Sequence, residues 1–213
     1  MQYHDLIESI VAALDARDAY TASHSDRVAD MVLVLAAALG LDEDETTRIH
    51  MAAHLHDIGK IAVPDSVLRK AGPLTRPEWE EMRRHPVTGY EILRKIEDFK
   101  EISILVRHHH ERWDGRGYPD GLKGDDIPIS AQLVSMADVY DALTSERCYK
   151  KAYSHDKAVE MILNGECGVF NPLLIECLKE LRETLRCELD VPLLNVKREK
   201  APGDGAKPAE SKA

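Results

Sequence analysis

Apolar residues recur along this chain at intervals of three and four, and no stretch alternates apolar and polar positions for the length of a strand. The pattern predicts an almost wholly α-helical domain. Leu6, Ile7, Ile10, Val11 and Leu14 form the stripe of a first amphipathic helix that stops in the polar cluster from Asp15 to Asp18. That helix either packs on the core or pairs two copies of the chain. From about Thr21 a second helix sets His24, Val28, Met31, Val32, Leu35 and Leu39 on one stripe and ends at Gly40. Asp42 with Glu45 opens a third in the manner of a capping box, and it runs to His56-Asp57. Val63 to Ser66 reads as a connecting turn, and Thr75, Pro77 and Glu78 cap a helix that breaks at His85-Pro86. The residue before a proline is pushed out of the α region, so His85 sits at a junction.

A helix with Tyr90, Leu93 and Ile96 follows, then one from about Glu101 to the run His108-His109-His110-Glu111. Four glycines, a proline, Trp113 and Tyr118 mark residues 113–124 as an ordered loop, since flexible linkers rarely carry large aromatics. From about Ser130 to Arg147 the spacing of Leu133, Met136, Ala137, Tyr140 and Leu143 predicts a buried helix with Asp138 and Asp141 one turn apart. Ser154 and Asn171-Pro172 begin the last two helices. Beyond Val191 the composition reads as a disordered tail, giving an N-terminal helix over 1–17, a domain over 18–190 and a tail over 191–213.

With 213 residues and 44% hydrophobic content, the chain can bury one substantial core. Its 38 acidic against 28 basic residues, a net charge of -10, argue against DNA binding through a broad basic surface. An anionic substrate then needs local positive charge, for which metal ions are a ready source. Cys148, Cys167, Cys177 and Cys187 lack C-x-x-C spacing, so reduced thiols are expected. The N-terminus lacks the basic flank and apolar run of a signal peptide and no segment reaches membrane-spanning length, which predicts a cytoplasmic protein off the membrane.

Chemistry concentrates at Ala53-His54-Leu55-His56-Asp57-Ile58-Gly59-Lys60. An imidazole and a carboxylate side by side at a helix end can serve two ions, because the two Asp oxygens can bridge. The bland reading makes His56 and Asp57 last-turn polar residues, Gly59 a helix-terminating glycine and Lys60 a cation near the negative dipole end. His24, His85, the histidine run and Asp138 add weight to the metal reading, since a buried carboxylate needs a cation. His50 and His54, four apart, lie off the face that ends at His56-Asp57 and are set aside.

In this order the segments Tyr20-Thr21-Ala22-Ser23-His24-Ser25-Asp26-Arg27-Val28, His56-Asp57-Ile58-Gly59-Lys60, His109-His110-Glu111-Arg112-Trp113 with Gly117-Tyr118-Pro119, and Ala137-Asp138-Val139-Tyr140-Asp141 closely resemble the HD-GYP family of cyclic dinucleotide phosphodiesterases. The resemblance spans roughly residues 18–180. It implies an HD-domain helical bundle with the HD-GYP C-terminal helices, and His24, His56, Asp57, His85, His109, His110 and Asp138 as metal ligands. It gives Asp57 and Lys60 catalytic roles and sets Lys60, Tyr118, Asp141, Arg147 and Lys150 against the substrate, with His108 outside the ligand shell. Members with three metals carry a glutamate where this chain has Tyr20, so two divalent ions are expected. Imidazoles and carboxylates without thiolate suit iron or manganese first, with nickel, cobalt or zinc also compatible.

The expected reaction is hydrolysis of cyclic di-GMP to linear pGpG and onward to GMP. A hydroxide between the ions attacks phosphorus, while an ion and Lys60 stabilise the developing charge. The competing expectations are another cyclic dinucleotide such as cyclic GMP-AMP, a general HD nucleotide phosphohydrolase, and a binding module without catalysis. Further expected partners are a GGDEF-domain protein and a second copy of the chain. No sensory domain is expected ahead of the first helix, so regulation would come from a separate protein, from expression level or from dimerisation through residues 3–16, unless the chain is part of a longer one.

Overall fold

The computed structural model describes residues 4–17, 23–146 and 151–189, with 183–189 as backbone only. Among the described residues ten α-helices follow in order, α1 His4–Asp15, α2 His24–Ala38, α3 Glu43–Leu55, α4 Asp65–Leu68, α5 Arg76–Met82, α6 His85–Leu93, α7 Lys100–His108, α8 Ile129–Thr144, α9 His155–Leu163 and α10 Pro172–Leu189. No strand occurs among the described residues.

Helices α2, α3, α7 and α8 pack on one another around the core. Each puts an apolar stripe inside: Val28, Val32 and Leu35 from α2, Ile49, Ala52 and Ala53 from α3, Ile102 and Val106 from α7, and Leu133, Met136 and Ala137 from α8, all fully buried. Alanines at the contacts let helix backbones approach, and the larger side chains fill the remainder. Truncating Leu35 or Leu133 to alanine would cost about 2–5 kcal/mol through lost contacts and the cavity left behind. Around this centre α6 lies on α7, α9 on α8 and α10 on α9 and α2, while α1 covers α3. Ile7 and Val11 of α1 are buried in the same cluster, so the first helix packs on the core.

Local chemistry starts and ends these elements as the side chains require. Asp42 accepts the Glu45 backbone N–H at 2.8 Å at the start of α3, and Thr75 and Glu78 form a full capping box on α5. Each such cap is worth roughly 1 kcal/mol.

Several boundaries differ from the apolar pattern. Helix α7 stops at His108, ahead of His109 and His110, and α3 stops at Leu55 with His56 as its cap. A 3-10 turn over Ile58–Ala62 follows Asp57, and α4 occupies the stretch taken for a plain connection. Gly59, read as a helix-terminating glycine, has no positive φ. An added Cβ there would stand 1.9 Å from the His85 carbonyl oxygen and 2.6 Å from the Gly89 nitrogen. Its role is close packing of the 3-10 turn on α6. Tyr20, Arg147, Lys150 and the 191–213 tail lie outside the described residues.

Candidate metal centre

The histidines reach one place from four elements. His24 opens α2, His56 caps α3, His85 opens α6, and His109 and His110 follow directly on α7. Ligand atoms of His24, His56 and Asp57 lie within 4.8 Å of one another, and those of His85, His109 and His110 form a second such triad. Asp57 joins the two. Its Oδ2 faces His56 Nε2 at 3.4 Å and its Oδ1 faces His85 Nε2 at 3.4 Å.

Backbone carbonyls set the imidazole tautomers. Nδ1–H of His56 donates to Ala53 O at 2.7 Å, that of His85 to Met82 O at 2.8 Å, and that of His109 to Val106 O at 2.6 Å. In each case the acceptor lies three residues back. With Nδ1 committed as donor, Nε2 carries a lone pair, which is how metal-binding histidines are oriented. His56 Nε2 is buried with no hydrogen-bond partner, and the Nε2 atoms of His85 and His109 face each other at 3.4 Å. Two lone pairs so placed repel each other, and a cation between or beside them resolves the conflict. The donor set therefore fits divalent metal ions, with hard and borderline ligands and no thiolate in either triad.

Burial and neighbouring charge tune the same groups. Burial pushes His85 down to about 4 and His110 to about 3, and it holds His109 well below the ordinary histidine value. These imidazoles are neutral at pH 7. Burial would raise Asp57 and Asp138, but the cations and imidazoles around them hold both carboxyls well below the carboxylate range. His24 behaves oppositely. Burial would lower it, but hydrogen bonds to Asp138 and Asp141 raise it to about 10 when no cation is bound.

Asp138 Oδ1 stands 3.3 Å from His24 Nε2, on the side of the first triad. Lys60 Nζ donates to Asp57 Oδ2 at 2.6 Å. Tyr118 stacks against His110 with ring centroids 4.8 Å apart, and burial together with Asp138 and Asp57 pushes its hydroxyl up, so it stays protonated. Asp141, which the resemblance sets against the substrate, lies against His24 beside the first triad. The carboxylate is buried and taken up by His24 Nδ1 at 2.6 Å, by the Arg27 guanidinium and by Ser145 Oγ at 3.0 Å. There it aims His24.

His50 and His54 belong to neither triad; His54 Nδ1 lies 3.5 Å from Asp26. His108 belongs to neither triad and faces the loop, with Nε2 3.0 Å from Asp120. Asp120 also takes both arms of Arg107 at 2.7 Å, and Glu111 accepts the Asp120 and Gly121 N–H groups at 2.7 and 3.0 Å. These bonds order the loop that presents Tyr118. An added Cβ on Gly117 would meet the Glu111 and Arg112 backbone at 2.4 Å, so that glycine serves approach to the loop's own chain. Arg83 escaped the sequence reading: its guanidinium lies 4.3 Å over the Tyr118 ring, next to the second triad. Its position two residues before His85 was the available signal.

The HD domain family model matches residues 5–167. The chain is 42% identical over 183 residues to the cyclic di-GMP phosphodiesterase response regulator RpfG of Xanthomonas campestris pv. campestris, covering 85% of this chain and 48% of that one. It is 41% identical over 181 residues to the 3'3'-cGAMP-specific phosphodiesterase 2 of Vibrio cholerae, covering 83% of this chain and 34% of that one. It thus spans half the length, or less, of these curated relatives. The cyclic GMP-AMP specific phosphodiesterase V-cGAP3 of V. cholerae has the same fold at TM-score 0.64 and 19% identity, covering 85% of this chain and 49% of that one. With the family match running through most of the chain and its histidines and acids meeting at one centre, the chain belongs to the HD domain family and carries the signature segments of its HD-GYP branch.

Proposed function

We propose that the chain hydrolyses cyclic di-GMP to linear pGpG, and further to GMP, at two divalent ions held by the seven residues His24, His56, Asp57, His85, His109, His110 and Asp138. One observation carries this reading: a triad that includes Asp57 lies beside a triad of histidines, with the second Asp57 oxygen facing His85 and three histidine tautomers set to present bare Nε2 atoms. Paired iron or manganese ions there would supply a water made nucleophilic at neutral pH and positive charge for the phosphoryl oxygens.

The chain's own groups do the rest. Asp141 orients His24, and the three carbonyl bonds keep their imidazoles from rotating. Lys60 sits beside Asp57 and can move its ammonium onto a phosphoryl oxygen when an anion enters. Tyr118 and Arg83 offer a ring and a guanidinium beside the second triad, suited to a base and to a second phosphate. Arg147 and Lys150 are proposed to contact the dinucleotide on the HD-GYP resemblance alone. The same resemblance suggests a GGDEF-domain partner and a homodimer. Among the described residues no helix is long and apolar enough to cross a membrane, and a cytoplasmic site of action is proposed on the cysteine spacing of the sequence.

Cyclic GMP-AMP is the second reading, because relatives of both specificities match at similar identity. Anaerobic purification, metal analysis and product chromatography with cyclic di-GMP, cyclic GMP-AMP and cyclic di-AMP test both. Metal-dependent linear product from the first, lost in Asp57→Ala, is expected. No turnover of any of the three with iron, manganese, cobalt, nickel or zinc loaded would leave a binding module.

A further inference from the structure

The 3-10 turn that carries Lys60 is gripped on two sides. Gly59 seats it against the His85 and Gly89 backbone of α6. On the other side Arg17, just past the end of α1, wraps it with its guanidinium. Nη1 donates to the Lys60 carbonyl at 3.0 Å and to the Ile61 carbonyl at 2.6 Å, and Nη2 donates to the Val63 carbonyl. Nε donates to Asp65 Oδ1 at 3.0 Å, an oxygen that also lies 2.8 Å from Nη2. Arg69 in turn donates from Nε to the Arg17 carbonyl at 2.7 Å, so the clasp is itself held. A small cavity lined by Leu14, Arg17, His54, Asp57 and Lys60 lies between the end of α1 and the turn.

We propose that Arg17 is a positioning residue for Lys60, and that α1 is thereby the element that sets the catalytic turn. The inference rests on the phosphodiesterase reading. An exposed ion pair contributes little to stability, so the Asp65 contact alone would not justify such a cluster. Three backbone carbonyls within four residues require a planar donor with several N–H groups in fixed directions, which an arginine fork supplies and a lysine ammonium does not. None of the metal ligands is touched by Arg17, so the grip acts on the turn that follows Asp57 and on the start of the Lys60 side chain. Ile7 and Val11 anchor α1 in the core, so a shift of that helix moves Arg17 and the turn together.

The test compares Arg17→Gln, Arg17→Lys, Lys60→Met and the Arg17→Gln/Lys60→Met double variant of the full chain. Expected for both Arg17 variants is a fall in kcat of tenfold or more, of the order a small misplacement causes, with KM and bound metal unchanged. The double variant should be no slower than Lys60→Met alone, because the two residues act in one path, and guanidinium ion should restore part of the Arg17→Gln rate. Equal wild-type and Arg17→Lys rates, multiplicative losses in the double variant, or loss of metal in Arg17→Gln would each overturn the positioning role.

Amide hydrogen exchange gives a readout independent of turnover. Peptides covering residues 58–63 should exchange faster in Arg17→Gln, with those from α7 and α8 unchanged. Unchanged exchange at 58–63 overturns the inference whether or not the wild type is active. Faster exchange in Arg17→Gln together with a wild type that turns over no cyclic dinucleotide sinks the functional reading and leaves the grip intact.

Discussion

At the scale of single residues, the proposed ligands depend on the groups that aim them. Asp141→Asn keeps the shape of a side chain that binds His24 and Arg27 but removes its charge. Metal affinity should fall about 10–100-fold, as for other partners that orient a ligand, which metal titration followed by calorimetry will read. Arg83→Ala removes the cation over Tyr118 without touching either triad. It should raise KM for a cyclic dinucleotide about tenfold, the loss of roughly one charge-assisted hydrogen bond. Hydrolysis of bis(p-nitrophenyl) phosphate, which has no second phosphate, should change little. Equal losses on the two substrates would remove Arg83 from the substrate site. Most of the residues that meet at the centre were legible as residue types near helix ends, because histidines and acids at the ends of apolar stripes need a reason to be there. Arg83 was not, since its meaning comes from a tyrosine 35 positions away in the sequence.

At the scale of elements, the site is where helices stop. Helix α3 ends at Leu55 and α7 at His108, and in both the next residues turn their imidazoles back, so that Nδ1 meets the carbonyl three residues earlier. Apolar periodicity continued these helices through the ligands and could not show the turn. Gly59→Ala checks the close packing beside them. Its methyl group meets the His85 carbonyl, so the turn or α6 must move, at a cost of about 1–3 kcal/mol or more. Both a lower melting temperature and weaker metal retention are expected, because His85 shares that backbone. If Gly59→Ala melts and binds metal like the wild type, the packing account of Gly59 fails. The sequence suggests a helix-terminating glycine at Gly59, but only the neighbouring α6 backbone shows why a side chain is excluded.

At the scale of the whole molecule, a chain of net charge -10 gathers an acid-poor, histidine-rich centre, and this makes its stability depend on pH and metal in a definite sense. In protein stripped of metal, His85 and His110 titrate at about 4 and 3, below the unfolded value of 6.5. The unfolded chain therefore takes up protons first on acidification, so their contribution to stability is present above pH 6.5 and is lost as pH falls toward 4. His24, raised to about 10, contributes fully below pH 6.5 and loses that contribution as pH rises toward 10. The urea midpoint of the stripped protein should peak near pH 6.5 and fall on both sides. Metal must displace the His24 Nε2 proton, so loading at pH 8 should release about one proton more per chain than metal-bound water alone gives up, measurable with an indicator dye in weak buffer against His24→Ala. Absence of that proton would exclude His24 as a ligand. Metal at about a hundredfold over Kd should add ~2.7 kcal/mol to stability for each ion bound, roughly twice that for the pair.

The amino-acid order by itself determined the helical class, the caps, the buried stripes and the residue types of the centre, because periodicity, capping and ligand chemistry act over a few neighbouring positions. Only the tertiary structure decided that Asp57 joins two triads, that Asp141 aims His24 and that Arg17 grips the Lys60 turn. Each of those joins residues from separate helices, and their distances follow from how the helices pack.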